Sequence, residues 1–320
     1  MSERQKRPFT LYWSNLELFE GCPQAFLWGR GWGDIDVGGG PGKKKPSPVR
    51  DSRHHAIMGQ AVGKAVEDFY NLELYRNPVG LRDRMSDIAE KEMSFLLTKD
   101  FVDWREAPSR SEMTKIVRDG ASNFLTTAKF DKLIGAYAKA EVNFICAVDE
   151  RTPIGGRADI VLQRDDTGIS ILDGKNSQSK GKYTNPDQLR WYALCYRLVH
   201  GVMPHRLGFV YFRYPADPEK NQSGVDWIEV TEADVQGLAG RAVSALESMR
   251  AEEFPATPSP TTCKFCDYQT VCPARIEQKA KRARGGASKE ADDVLLAAGG
   301  GMLEIGFGDL ASGSKSRKRG

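Results

Sequence analysis

Two short segments carry the residues best suited to chemistry. The segment GISILDGK (168–175) ends on Asp173-Gly174-Lys175, and GRADIVLQ (156–163) places Asp159 inside an otherwise apolar run. Both read as strands, joined by turn chemistry at Asp165, Asp166 and Gly168. Residues i and i+2 of a strand share a face, so Asp173 and Lys175 project together. Antiparallel pairing of the two strands can set Asp159 beside Asp173. A charge inside an apolar strand is costly without a partner, and two close carboxylates either share a proton or hold a cation. Their hard oxygens suit magnesium or manganese. A lysine beside such a cation can orient the attacking water or accept its proton. The set reads as metal-assisted phosphodiester hydrolysis. Gln188 and Tyr192 stand at i, i+4 on one helix face, within reach of a substrate backbone or of Lys175, and Glu67 lies on an upstream helix. Singly, each of these residues has a commonplace alternative, as a turn residue, a solvated lysine or a helix surface. The ordered set is far more specific.

A second constellation is built from cysteine. Cys263-x-x-Cys266 followed by Cys272-Pro273 gives three thiols at spacings that ligate zinc or an iron–sulfur cluster. Cys22-Pro23 offers a fourth in a similar Pro-flanked setting, whereas Cys146 (in NFICAV) and Cys195 (in WYALCYRLV) read as core residues. A one-plus-three split over most of the chain is atypical of zinc and fits a 4Fe–4S cluster better. Either group would clamp the N-terminal segment to the C-terminal one.

These residues need a framework. The chain has 320 residues, 40% apolar and 28% charged, with a net charge of +3. That composition describes a globular protein large enough for a sizeable core. The apolar stretches run to a handful of residues, as in VLLAA at 294–298, which excludes a spanning helix of about 20. The start, MSERQKRPFTLYW, lacks an apolar h-region, so no secretory leader is expected. Six cysteines without such a leader argue against a disulfide scaffold. Residues 9–30 read as a short strand or turn and then a helix, with Ser14 and Asn15 as N-cap types and an interruption at Cys22-Pro23. Helical periodicity is also expected at 56–75, 81–98, 111–134, 186–200 and 231–250, with Pro186 in a first turn and a Thr231/Asp234 cap. Strands are expected at 139–148, 156–163, 168–175 and 206–214. A three-strand meander followed by helix, strand and helix is a mixed α/β layer fold. A Gly/Pro/Lys insert at 29–50, with Lys43 to Lys45, and a basic tail from about 277 read as mobile.

Together these residues resemble the RecB-like branch of the PD-(D/E)XK nucleases, in particular CRISPR-associated and phage-encoded iron–sulfur exonucleases and the nuclease domain of AddB. The resemblance is carried in order by SNLELFEGCPQAF, GQAVGKAVEDFY, GGRADIVL, ISILDGKN, DQLRWYAL and CKFCDYQTVCP, over about residues 12 to 275. It implies a restriction-endonuclease-like α/β core, a mixed central sheet flanked by helices, with an N-/C-terminal iron–sulfur clamp. The implied divisions are 1–50 (first cluster cysteine and loop), 51–253 (nuclease core), 254–276 (Cys-rich segment) and 277–320 (basic tail). It implies that Asp159, Asp173 and the backbone carbonyl of Gly174 hold magnesium or manganese and that Lys175 assists catalysis. Gln188 and Tyr192 match the family's Gln-x-x-x-Tyr motif, and Cys22, Cys263, Cys266 and Cys272 match its 4Fe–4S ligands. The implied activity is exonucleolytic cleavage of DNA in recombination, repair or replication, in a bacterial or phage-infected cytoplasm. DNA and a recombination or replication protein are the implied partners, and no membrane is.

Three positions depart from the family pattern. Relatives carry a metal-binding His four residues before the glutamate matching Glu67, and this chain has Gly63; His54 and His55 are the candidates to substitute. Gly174 stands for a common aromatic and Asn176 for a common threonine. Two further readings follow: a DNA-binding or adaptor protein with catalysis weakened at Gly63, and a protein whose cluster senses redox state. In each, the KKK insert and basic tail serve phosphate binding or solubility.

Overall fold

The computed structural model describes residues 9–32, 52–181, 184–264 and 266–281. Most of the Gly/Lys insert and the tail beyond 281 lie outside the described residues. Contacts divide the chain into a unit of residues 1–268 and a second of 269–320. In the second, residues 273–281 are helical, so regular structure runs into the segment expected to be mobile.

The first unit begins with a two-residue strand β1 (Leu11–Tyr12) and helices α1 (Trp13–Gly21) and α2 (Pro23–Arg30). Cys22, extended at φ −165°, separates the two helices, and Pro23 opens the second. Then come α3 (His54–Asn71), α4 (Leu81–Leu96) and α5 (Arg110–Phe130). The meander follows as β2 (Tyr137–Ala147), β3 (Pro153–Arg164) and β4 (Gly168–Lys175). The chain closes with α6 (Pro186–His200), β5 (Arg206–Tyr211), β6 (Val225–Ile228), α7 (Glu232–Arg250) and α8 (Pro260–Lys264). The expected order holds, with the short strand or turn ahead of the first helix formed as β1, and with β6 added. Helix α1 starts at Trp13, ahead of the expected Ser14 or Asn15 cap, and makes no side-chain cap. The Thr231/Asp234 capping box and the Asn185 cap before Pro186 are both formed. No described helix is long and apolar enough to cross a membrane.

The six strands form one mixed sheet. Strand β2 runs antiparallel to β3 along its length. On the other side of β3, β1 pairs in parallel at Ile154 and Gly155, and β4 pairs antiparallel from Ile160 to Arg164. Residues 156–159 of β3 therefore pair with neither, and the sheet splays at Asp159. Beyond β4 the order continues through β5, parallel, and β6, antiparallel.

Apolar side chains divide into two cores. Helices α3, α4 and α5 cover one face with Ile57, Met58, Val62, Phe69 and Phe124, and α1, α2, α6 and α7 cover the other with Leu16, Phe26, Trp191 and Leu246. In β2, Ala138 and Ala140 belong to the first core but Phe144 to the second, and in β3, Ile160 and Leu162 belong to the first but Ile154 and Ala158 to the second. Strict alternation would keep each set on one face. Both strands exchange faces at Glu141, which takes φ +56°, and at Asp159 opposite it. A left-handed conformation is costly for a non-glycine residue and concentrates at functional sites.

Candidate active site

Asp159 and Asp173 meet where the sheet splays. Past the Ile160–Leu172 pair, β4 leaves β3, and the backbone N–H of Gly174 donates instead to Asp159 Oδ2 at 2.8 Å. The meander thus brings the two acids together as the spacing predicted. Asp173 is buried, at 2% exposure, and Asp159 is partly buried. Burial and the neighbouring Asp173 charge push the Asp159 carboxyl up to about 8. Burial also raises Asp173, and the Lys175 ammonium opposes that rise.

Lys175, Gln188 and Tyr192 complete one network. Lys175 Nζ lies 2.6 Å from Asp173 Oδ2 and donates to Gln188 Oε1 at 3.0 Å. Gln188 Nε2 donates to Asp173 Oδ1 at 2.8 Å and to Tyr192 Oη at 3.0 Å. These partners permit a single orientation of the Gln188 amide: its oxygen faces the ammonium and its nitrogen the two oxygens. Tyr192 Oη accepts from Gln188 and keeps its own proton to donate; burial and Asp173 raise its pKa. Asp173 Oδ2 is buried and has no aligned hydrogen-bond donor, only the ionic contact with Lys175. A buried carboxylate oxygen so placed, beside a second acid that burial keeps from ionising, is a donor set that fits a divalent cation.

Sequence at two positions explains how these elements come so close. A Cβ at Gly156 would stand 3.1 Å from Tyr192 Cδ1, so this glycine lets α6 lie directly on β3. Trp191 Nε1 anchors the same helix to Gly155 O at 2.9 Å. At Gly174 a Cβ would stand 2.5 Å from Phe212 Cζ. The Phe212 ring, just beyond β5, thus occupies the space that a side chain at residue 174 would take.

Asp159 opens onto two cavities, both of which it lines together with Arg157. One, of about 420 Å³, is lined among others by Gly63, Lys64, Glu67, Glu92 and Glu141. The other, of about 450 Å³, is lined among others by Tyr12, Ser14, Asn143, Gln188 and Tyr192. Glu67 lies in the first cavity and pairs with Lys64 at 3.1 Å. Sequence reasoning missed Glu141, which pairs with Arg157 at 2.8 Å and whose carboxyl is raised by burial. Its acidic position in KAEVNFICAV was the available signal. Space beside Gly63 is open: a Cβ there would meet nothing within 4 Å. His54 and His55 do not fill it. They sit in the first turn of α3, about 12 Å along the helix axis from Gly63, with His54 hydrogen-bonded to Ser52 and His55 within electrostatic reach of Arg213.

The cysteines are distributed as follows. Cys22 lies between α1 and α2, Cys263 is buried in α8, and Cys266 is partly buried just beyond it. Thr257 Oγ1 donates to Gly21 O at 2.9 Å, Gln24 N to Pro255 O at 3.3 Å, and the Trp28 and Tyr268 rings meet at 5.4 Å. The segment around Cys22 is therefore docked on the segment that carries Cys263 and Cys266. Cys272 belongs to the second unit. Among the described residues no group of three or more His, Cys, Asp or Glu side chains is gathered to hold a metal ion. Cys195 is buried and Cys146 packs against the same core, as their apolar settings predicted.

A family model described as the PD-(D/E)XK nuclease superfamily matches residues 12–273. No curated protein matches the chain. A solved structure titled "Crystal structure of SSO0001" is 18% identical, covering 69% of this chain and 97% of that one, with a TM-score of 0.31. At that score the likeness carries no argument.

Proposed function

The chain belongs to the PD-(D/E)XK nuclease superfamily, and from that premise we propose that it is a magnesium- or manganese-dependent deoxyribonuclease of the RecB-like branch that degrades DNA from its ends. Membership itself implies metal-dependent phosphodiester hydrolysis. The observation that carries the reading is the buried Asp159–Asp173 pair with Lys175 fixed against it by Gln188.

In this reading Asp159, Asp173 and the Gly174 carbonyl would hold the cation, which would supply Lewis acidity at the phosphodiester and lower the pKa of a bound water. Lys175 Nζ would orient the attacking water and balance the charge that develops on the pentacoordinate phosphorus. Gln188 holds the lysine and Asp173 in register. Tyr192, with its phenol protonated, donates toward the substrate backbone.

The cluster is part of the proposal. Cys22, Cys263, Cys266 and Cys272 would bind 4Fe–4S, and the docking of residues 21–29 on 255–268 supports a clamp built there. The Cys-rich segment 254–276 would then follow a nuclease core at 51–253. Iron and acid-labile sulfide in anaerobically purified protein test this; zinc in their place would reassign the metal, and neither would remove the clamp.

One observation favours a second reading. The open space beside Gly63, where relatives place a metal-binding His, fits a DNA-binding protein with weakened catalysis. One assay separates the two. Wild type and Lys175→Ala are given end-labelled linear DNA and closed circular DNA with manganese. Loss of linear DNA alone, with wild type alone, supports the exonuclease. DNA binding without cleavage by either protein supports the second reading.

A further inference from the structure

Just past Lys175 lies a group of polar side chains that the nuclease chemistry does not use. Asn176 follows Lys175 directly, and both atoms of its amide, Nδ2 and Oδ1, are buried without a hydrogen-bond partner. Arg213 follows Phe212, whose N–H donates to Lys175 O at 2.9 Å. Two of its guanidinium nitrogens, Nε and Nη2, are likewise buried and unpartnered. Helix α3 comes down on this corner, with Gly59 in reach of the Asn176 Cβ. One turn earlier on the same face stands His55, its ring 4.0 Å from that of the buried His54. His55 lies within electrostatic reach of both His54 and Arg213.

Buried donors without partners are rare in folded proteins and costly to leave unmade. Among the described residues no carboxylate pairs with Arg213. The acids beside the first turn of α3 are engaged elsewhere, Asp100 with Arg53 at 3.8 Å and Asp103 with Arg105 at 2.5 Å. A guanidinium, an amide and two imidazoles therefore converge with no anion among them. A metal ion is disfavoured by Arg213, and an apolar ligand would leave every donor unmet. Tetrahedral oxyanions match such a set of N–H groups.

We propose that His54, His55, Asn176 and Arg213 form a phosphate-binding subsite, beside Lys175, that takes a phosphate group of the DNA strand being cut. The ligand's source rests on the nuclease reading; the affinity for phosphate does not. The subsite holds the strand at one phosphate while the carboxylates act on another, which sets the register of cleavage.

The test uses the full chain carrying Asp159→Asn, so that DNA is bound and not cut. Fluorescence anisotropy follows a labelled single-stranded oligonucleotide, with or without terminal phosphates, over a salt series. Adding Arg213→Gln should weaken binding about tenfold and lower the slope of log affinity against log salt by about 1, with Arg213→Lys retaining the slope. A loss confined to phosphorylated oligonucleotides assigns a terminal phosphate, and an equal loss for both assigns a backbone phosphate. In parallel, inorganic phosphate at constant ionic strength should raise the melting temperature of the wild-type chain and not that of Arg213→Gln. Since Nε and Nη2 of Arg213 have no hydrogen bond to lose among the described residues, that variant should melt at or above wild type. Unchanged affinity and slope, with a lowered melting temperature, would overturn the subsite and leave Arg213 a structural role. If wild type neither binds nor cuts DNA, the nuclease reading falls and phosphate protection alone decides: Arg213-dependent protection upholds the subsite, and its absence overturns it.

Discussion

Replacing Asp159 with Asn should abolish cleavage and yet stabilise the metal-free protein. The carboxamide is close in shape to the carboxylate, and its oxygen can still accept from Gly174 N–H. What it removes is a charge that burial and Asp173 disfavour. An Asp in an unfolded chain ionises near 3.8, and Asp159 in the fold does so near 8. The sign follows from that order. The folded state prefers the protonated acid, so stability is lost as pH rises from about 4 toward about 8. At about 1.4 kcal/mol per pH unit the interval sets a ceiling of about 6 kcal/mol. Asp159 retains partial exposure to the cavities, and water there screens the repulsion; about 2 kcal/mol should survive. For a domain of this size that is about 4–8 °C in melting temperature. The assay is thermal unfolding in chelator at pH 5 and pH 8, followed by circular dichroism. Asp159→Asn should melt above wild type at pH 8, with the gap small at pH 5. Manganese should raise the wild-type melting temperature and leave the variant's nearly unchanged. A variant that melts below wild type at pH 8, or a gap that narrows as pH rises, would refute the repulsion between the two acids.

Gly63→His places an imidazole in open space on the cavity wall shared with Glu67 and Asp159. Manganese should bind about tenfold more tightly by calorimetry, and unchanged affinity would show that position 63 does not reach the ion. Gln188→Ala releases Lys175 from its fixed position, so cleavage should fall about a hundredfold while the circular dichroism spectrum is retained; a wild-type rate would remove Gln188 from the mechanism. Gly174→Ala drives a Cβ into Phe212 and should cost about 1–3 kcal/mol in urea unfolding, partly recovered by adding Phe212→Leu. No recovery would place the strain elsewhere. Cys263→Ser should lower iron content and melting temperature together, and a variant that melts like wild type would argue against a clamp.

The local features were legible in the sequence because short-range periodicity and turn chemistry determine them. The i, i+2 spacing put Asp173 and Lys175 on one face, the Asp165–Gly168 segment formed the hairpin turn, and Thr231 and Asp234 closed the capping box. The pairing of Asp159 with Asp173 followed as well, since a meander leaves adjacent strands few alternatives. The Gln188 and Tyr192 spacing fixed their shared helix face.

Tertiary structure decided the rest, because it depends on which distant surfaces meet. The residues ahead of α1 read equally as a short strand or a turn; they form β1 because α1 and α2 pack on the sheet and bring Leu11 to Ile154. Only the exchange of faces at Glu141 and Asp159 shows why Glu141 lines the cavity. Phe212, 38 positions after Gly174, packs its ring against that glycine because β4 and β5 run in parallel and end side by side. His54 and His55 looked like substitutes for a lost metal ligand. The length of α3 carries His54 to Ser52 and His55 within electrostatic reach of Arg213 instead, and sequence distance along a helix says which residues share a face but not what the helix is laid against.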